Sequence, residues 1–487
     1  KRLLKKIIKK ISPFFLLEIY YYITAFLGAK IYGFPGKKMI VIGVTGTKGK
    51  TSTINFIWAC LSAGGYKTGI ISTANIRIGE KELPNTYHMT MPGRSEIQRL
   101  MSEMLKSGCK FCIVETTSEG IKQYRHIGVY YDMAVFTNLS PEHMDSHGGS
   151  FENYKKRKTK MFEIISSHTK IIDNKKIEKI IVVNKDSSHA NDFLSFSSDK
   201  KITFSINENK QDNTNSNSSD NMNSHSNNNA DYTAHNVQNT NDGVQFDLNY
   251  NKNLSDSKSS NKVSFRLNIL GKFNVYNVLP AVIISHLTGI SDNLIAEGLS
   301  KLKIIPGRME VLNEGQDFIV IVDYAHEKQS MTNVLQTAND MKNDMKKNKE
   351  NSSDKFGTKE KSRVIVLLGA EGGGRDKAKR PIMGEVSAKL ADYVIISNVD
   401  PYDDDPRQIL EDIAISCQKY GKIRGQNLFV IEDRREGIKK ALSLAQRDDI
   451  VIITGKGAEQ SMVVGNSRLP WDDRKVVREE LLLMKSR

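Results

Sequence analysis

Between Met39 and Gly65 the chain runs MIVIGVTGTKGKTSTINFIWACLSAGG: an apolar stretch, a glycine-bearing turn and a helix-forming segment. A strand that feeds a helix through a tight glycine loop opens a βα unit, and such units assemble into a mostly parallel sheet covered by helices. Apolar runs recur at 111–115 (FCIVE), 132–137 (DMAVFT) and 179–184 (KIIVVN). They are continuous rather than alternating, as strands buried on both faces require. A second series follows at 318–323 (FIVIVD), 363–368 (RVIVLL), 393–397 (YVIIS) and 450–453 (IVII), which predicts a second α/β unit from about residue 308.

With 487 residues, 39% of them hydrophobic, the chain can bury two or three cores. Its net charge of +15 fits nucleotides, anionic precursors, anionic lipids and nucleic acids equally well, so charge selects no partner. Four cysteines are too few for a disulfide framework, and Cys109 and Cys112 lie in an apolar strand entry with no second pair to complete a zinc site. They read as buried structural thiols.

Residues 1–11, KRLLKKIIKKI, place Leu3, Leu4, Ile7, Ile8 and Ile11 at helical spacing with six basic residues opposite, the pattern of a basic amphipathic helix. The stretch that follows is aromatic and apolar but carries Glu18 and Lys30, which suits an interfacial or docking segment better than a membrane span. Two segments read as surface insertions: about 206–261, rich in Asn, Ser and Asp and expected to be disordered, and the Lys-rich 341–363. The domain reading is therefore 1–36 as an appendage, 37–307 as the central domain and 308–487 as the C-terminal domain.

In the loop after the first strand, Gly46, Thr47, Lys48, Gly49, Lys50, Thr51 and Ser52 lie where backbone N–H groups and a helix N-terminus cradle phosphates. Lys50 would reach the terminal phosphates and Thr51 would hold Mg²⁺ through its hydroxyl. Val44 stands where the general nucleotide pattern has Gly, so the loop is a variant. Glu115 ends an apolar strand, where its carboxylate can complete the Mg²⁺ shell; a strand-end salt bridge is the alternative.

The loop TGTKGKTST resembles that of the Mur ligases, and ETTSEGIKQYR (115–125), FTNLSPEHMDSHGG (136–149) and ENYKKRKTKMF (152–162) follow in the family's order. The likeness is closest to the branch that adds the third amino acid to the muramyl-peptide. It implies an α/β fold with a P-loop central ATPase domain and a C-terminal Rossmann-like domain. It also implies ATP, two Mg²⁺ sites and a carbamate formed from CO₂ on Lys158, with His143 as the ligand of the second metal. Asn277 would meet adenine, Arg308 the γ-phosphate and Asp323 the ribose. The catalytic set implied is Lys50, Lys158, His143 and Arg308.

For the substrates, Thr90, Thr117, Gln123 and Arg125 match positions that touch the muramyl-peptide. Arg375 in GAEGGGRDKAKRPIMG would clamp the carboxylate of the incoming amino acid, with Asp400, Gly455 and Glu459 nearby. Relatives that add diaminopimelate carry Asp-Asn-Pro-Arg, whereas this chain reads Val399-Asp400-Pro401-Tyr402 and then three aspartates, 403–405. Losing that arginine and gaining an acidic run suggests a basic side chain on the amino acid.

The activity implied is ATP-dependent amide-bond formation through an acyl-phosphate, in peptidoglycan precursor synthesis. The partners expected are a uridine- or lipid-linked muramyl-peptide and an amino acid, with no nucleic acid. Only about 36 residues precede the ATPase domain, where relatives have a uridine-binding domain. This suggests an anionic membrane surface as a partner for residues 1–11, and a cytoplasmic protein peripheral on the inner membrane face. For that segment the alternative is that 1–36 simply packs on the ATPase domain while another protein or a shorter pocket handles uridine. For the activity the alternative is a membrane-associated nucleotide-binding ATPase or scaffold that has lost ligation.

Overall fold

The computed structural model describes residues 14–87, 89–142, 147–207, 230–240, 242–251, 262–351 and 362–485. The basic segment 1–11 and His143 lie outside them. After a helix at Phe14–Ile31, the central domain lays down β1 (Ile40–Thr45), β2 (Thr68–Ile71), β3 (Asn75–Ile78), β4 (Lys81–Pro84), β5 (Phe111–Glu115) and β6 (Met133–Phe136). A small hairpin, β7 (Ile171–Ile172) and β8 (Lys175–Lys176), precedes β9 (Ile180–Asn184), β10 (Lys200–Ile206), β11 (Tyr232–Thr240), β12 (Gly243–Tyr250) and β13 (Lys262–Leu267). Hairpin apart, these form one sheet in the order β13-β12-β11-β10-β9-β6-β1-β5-β2-β3-β4.

The block from β11 to β2 is parallel, with antiparallel ribbons at both edges. Its inner strands β5, β6 and β9 are buried at every position, which is why they read as unbroken apolar runs. The helices Lys50–Ala63, Asn274–Leu287 and Asp292–Lys301 cover one face, while Arg94–Lys106 and Phe151–Ile165 cover the other. Because β1 lies between β5 and β6, connections leave in opposite directions at its carboxyl end. A crevice opens there, where open α/β sheets bind ligands.

The C-terminal domain comprises β14 (Glu310–Leu312), β15 (Ile319–Val322), β16 (Val364–Leu368), β17 (Tyr393–Ile396), β18 (Leu428–Val430) and β19 (Ile450–Ile453), in the order β14-β15-β19-β16-β17-β18. Only the edge strand β14 is antiparallel. A hairpin of β20 (Ser461–Val464) and β21 (Ser467–Pro470) follows. The expected α/β class holds in both units.

Two expectations need correction. The span 206–261 is not one disordered insertion, because β11 and β12 are built from it. Along β12, Val244, Phe246, Leu248 and Tyr250 alternate inward onto the core under the helix Asn274–Leu287, and burial of that face outweighs the polar composition around it. Likewise, residues 341–351 of the second presumed loop continue the helix Lys328–Asn351, with Met341 and Met345 against the second core.

Candidate active site

The loop after β1 turns on two glycines with positive φ, Gly46 (150°) and Gly49 (82°). A side chain at Gly49 would be strained, and its Cβ would lie 2.1 Å from Asn277 Oδ1. Asn277 thereby rests directly against the loop, its amide donating to Asn274 Oδ1 at 2.8 Å. Thr47 N donates to the Asn138 carbonyl at 2.8 Å and Lys48 N to Asn138 Oδ1 at 2.8 Å, so the end of β6 shapes the loop. Ser52, in the first turn of the following helix, is buried.

Three lysines meet at this loop in three different environments. Lys50 Nζ donates to the carbonyls of Gly46 and Thr47, both at 3.0 Å, and burial lowers its pKa although Glu115 and Glu142 oppose this. Lys158, 3% exposed, donates to the same Gly46 carbonyl at 2.6 Å. Burial first and then the charge of Lys50 hold it well below the ordinary lysine range, which favours the neutral amine. Lys48 goes the other way: Glu142 at 2.9 Å and Glu327 at 3.2 Å overcome its burial and raise it.

Glu115, 2% exposed at the end of β5, accepts from Thr51 Oγ1 at 3.0 Å, Thr73 N at 2.8 Å and Thr73 Oγ1 at 3.0 Å. The Thr51 hydroxyl and the Glu115 carboxylate are adjacent hard oxygen donors, a pair suited to Mg²⁺. Among the described residues no three His, Cys, Asp or Glu side chains converge. That donor set fits an ion that takes most of its shell from phosphate oxygens and water. Arg308 arrives from the other domain, its Nη2 donating to Thr51 Oγ1 at 3.2 Å. Asp323 accepts from Met309 N and Ala325 N, both at 2.8 Å, which fixes the segment that carries Arg308.

One cleft of about 1010 Å³ joins this loop to both substrate ends. On one side Thr90 meets Thr73 at 2.9 Å between hydroxyls, and Thr117 caps the short helix Ser118–Lys122 by accepting from Gly120 N at 3.0 Å. Gln123 bridges Glu119 at 2.6 Å and Arg125 at 2.7 Å, and Arg125 also donates to the Met91 carbonyl. On the other side the Arg308 guanidinium lies 4.4 Å from the Tyr324 ring centre, and Tyr324 donates to Glu459 at 3.0 Å. Lys456 then ties Glu459 (2.6 Å) to the buried Asp400 (2.8 Å). Gly455 takes a φ of 106° at the start of that loop.

Arg375 lies 3.4 Å from Glu371 and 6.0 Å from the Tyr402 ring centre, and all three line the cleft. Glu371 is ionised: burial pushes its carboxyl up, but Lys379, Arg375, His326 and Lys456 outweigh that and bring it to about 2. The aspartates 403–405 do not line the cleft. Asp405 caps the helix Pro406–Lys419, accepting from Arg407 N at 3.0 Å, and Asp404 lies 3.6 Å from Arg380. Besides Asp400 and Glu459, the acidic group at the amino-acid end of the cleft is Glu371, which sequence reasoning passed over because it sits among the glycines of the Arg375 loop. Thr73 and Glu327 were missed too: Thr73 carries no pattern of its own, and Glu327 directly follows the VDYAH segment without belonging to it.

Residues 44–285 match the Mur ligase middle domain and residues 350–457 the Mur ligase glutamate ligase domain. The chain is 32% identical over 457 residues to UDP-N-acetylmuramoyl-L-alanyl-D-glutamate–2,6-diaminopimelate ligase 1 of Clostridium acetobutylicum, across 93% of this chain and 80% of that one. It is 31% identical over 459 residues to UDP-N-acetylmuramyl-tripeptide synthetase of Roseiflexus sp., across 93% and 81%. The solved structure of a UDP-N-acetylmuramoyl-L-alanyl-D-glutamate–2,6-diaminopimelate ligase aligns over 92% of this chain and 79% of its own, with 27% identity and a TM-score of 0.54. Mycobacterium tuberculosis folylpolyglutamate synthase, at 16% identity, shares the fold across 91% and 97% with a TM-score of 0.62.

Proposed function

The chain belongs to the Mur ligase family, and from that premise we infer that it is an ATP-dependent ligase joining an amino acid to a muramyl-peptide carboxylate in peptidoglycan precursor synthesis. The observation that carries this is Thr51, whose hydroxyl bonds both Glu115 of its own domain and Arg308 of the other. A nucleotide in the cleft therefore meets cationic and oxygen-donor groups from two domains at its terminal phosphate. Mg²⁺, when bound by Thr51 and Glu115, would neutralise phosphate charge.

The protein's part is to position and to stabilise charge. Loop N–H groups and Lys50 hold the phosphates while the acceptor carboxylate attacks the γ-phosphorus, giving an acyl-phosphate and ADP. The incoming amine then attacks the acyl carbon and phosphate leaves. Glu459, fixed by Tyr324 and Lys456, is the carboxylate placed to orient that amine. Closure of Arg308 and Tyr324 over the cleft keeps water from the acyl-phosphate.

Lys158 supports a finer reading. A neutral, buried amine beside Gly46 is the form that adds to CO₂ with loss of a proton, and the resulting carbamate would, with His143, hold a second Mg²⁺ and supply negative charge to it. The scaffold alternative finds no support, since binding nucleotide alone gives no role to Lys158 or to a second substrate end. For the incoming amino acid the reading is a basic side chain in preference to diaminopimelate: Tyr402 has replaced the arginine and the ionised Glu371 repels a distal carboxylate. For residues 1–11 the partner is an anionic membrane surface on the cytoplasmic side. Among the described residues no helix is long and apolar enough to cross a membrane.

The test is phosphate release with a panel of amino acids and muramyl-dipeptide acceptors. Turnover that requires both substrates, with product mass showing one amide added, is expected. Equal turnover without either substrate defeats the ligase reading.

A further inference from the structure

We propose that the outward face of the helix Phe14–Ile31 is a docking surface for an anionic phospholipid bilayer. Apart from Glu18 and Lys30 the helix is apolar around its circumference, a composition normally found only where a helix is enclosed. Here it buries its small residues and exposes its large ones. Ala25 and Ala29 are fully buried, and a Cβ on Gly28 would come within 2.9 Å of Ser95 Cα, so this side lies flat on the helix Arg94–Lys106. On the opposite side Leu16, Ile19, Tyr20, Ile23, Leu27 and Ile31 recur at three- and four-residue spacing, from 42% to 75% exposed. Apart from the Arg94 guanidinium 5.9 Å from the Tyr20 ring, no described residue covers this stripe, and so many exposed large side chains mark a surface that meets something apolar.

The charge of this stretch of sequence says what that is. Residues 1–38 contain nine Lys or Arg against a single acid, Glu18. Lys30 stands within the stripe, while Lys37 and Lys38 are exposed just beyond its end. An apolar face flanked by cations, with Tyr20 and Tyr22 exposed along it, is the pattern of a helix lying in the plane of an anionic membrane interface. A nucleic acid would leave the six apolar side chains uncovered.

The location gives the contact a purpose. Arg94 donates to Thr24 Oγ1 at 2.9 Å and to the Gln123 carbonyl at 3.3 Å, and the Tyr22 ring packs edge-on against Tyr124 at 6.2 Å. The helix is thus pinned to the loop that carries Gln123 and Arg125, the precursor end of the cleft. A bilayer on this face would bring that end to the membrane surface, within reach of an acceptor carried on a lipid. The proposal deepens the membrane reading of residues 1–11 but stands on a different, described element.

The experiment is vesicle sedimentation of the full chain with phosphatidylcholine vesicles, with and without phosphatidylglycerol, comparing wild type, Ile23→Glu/Leu27→Glu and the control Ile415→Glu. Ile415 is equally apolar and 61% exposed on the far domain. The expected result is salt-sensitive binding of wild type and of Ile415→Glu to anionic vesicles only. The double variant should bind about tenfold more weakly or less while ligating soluble acceptor at the wild-type rate. Undiminished binding by the double variant overturns this face and leaves residues 1–11 as the attachment. Failure of wild type to bind overturns both, as does equal binding to zwitterionic vesicles for the anionic assignment. Wild type that dimerises through this face in sedimentation velocity, with the double variant monomeric, overturns the bilayer in favour of a second copy.

Discussion

Lys158 shows how much a single residue's role depends on what surrounds it. In sequence it sits among Lys155, Lys156, Arg157 and Lys160 and looks like one more cation on a solvated helix face. In the fold it alone of that run is buried, because it faces β1 and the phosphate loop. Lys158→Ala is expected to lower turnover by at least about a hundredfold with little change in thermal stability, and a short carboxylic acid should restore part of it. Full activity of the unrescued variant would take the carbamate out of the mechanism. On the proposed reading, selectivity rests on two other residues. Glu371→Gln should lose about tenfold in kcat/KM for lysine, and Tyr402→Arg should gain activity with meso-diaminopimelate. A product-mass assay with both amino acids checks this; a Glu371→Gln enzyme with unchanged selectivity would return the question to the rest of the cleft. The phosphate loop was legible because its spacing carries chemistry, whereas the second-metal reading of Lys158 and His143 came from the family resemblance alone. Glu371 and Thr73 were not legible, because their importance comes from neighbours brought in by tertiary structure.

At the level of elements, the parallel strands could be read directly, since burial on both faces leaves a continuous apolar run. The ribbon of β11 and β12 could not: it is flanked by Asn-rich sequence, and its alternation is visible only over the eight residues of β12. Averaging composition over 206–261 buried a period-two signal under polar neighbours. The structure ties that signal to stability, because Phe246 is 1% exposed and belongs to the core shared by β1, the phosphate-loop helix and Asn274–Leu287. Phe246→Ala should therefore cost about 3–5 kcal/mol in denaturant unfolding, whereas excising 208–229 behind a short glycine linker should cost little. A neutral Phe246→Ala would mean that the ribbon is peripheral to the domain. Strand edges of this kind need not be regular to matter, since one inward face suffices.

Among the described residues the two large sheets each pack their own pair of cores, Leu270 of the central domain joins the second core, and the bonds at the phosphate loop between the domains are polar. Domains that meet across a largely polar cleft, with Leu270 and Phe273 as apolar contacts, can move relative to one another unless a ligand holds them, and a ligase that must admit ATP, acceptor and amine in turn needs that freedom. Two cross-domain bonds form at the phosphate loop: Arg308 to Thr51 at 3.2 Å and Glu327 to Lys48 at 3.2 Å. Lys48 keeps Glu142 within its own domain at 2.9 Å, so removing Glu327 cuts the inter-domain bond without stranding a buried cation. Glu327→Ala should consequently loosen closure only when the cleft is empty. Limited proteolysis should cut the connecting segment 302–307 several-fold faster than in wild type without nucleotide, and at the wild-type rate with a non-hydrolysable ATP analogue and Mg²⁺ present. Turnover at saturating ATP should stay within a few-fold of wild type, with KM for ATP raised. If cleavage is unchanged in the empty protein, the Lys48 pair is a local contact and Arg308, the Arg468 bond to the Thr86 carbonyl and the Leu270 contact couple the domains.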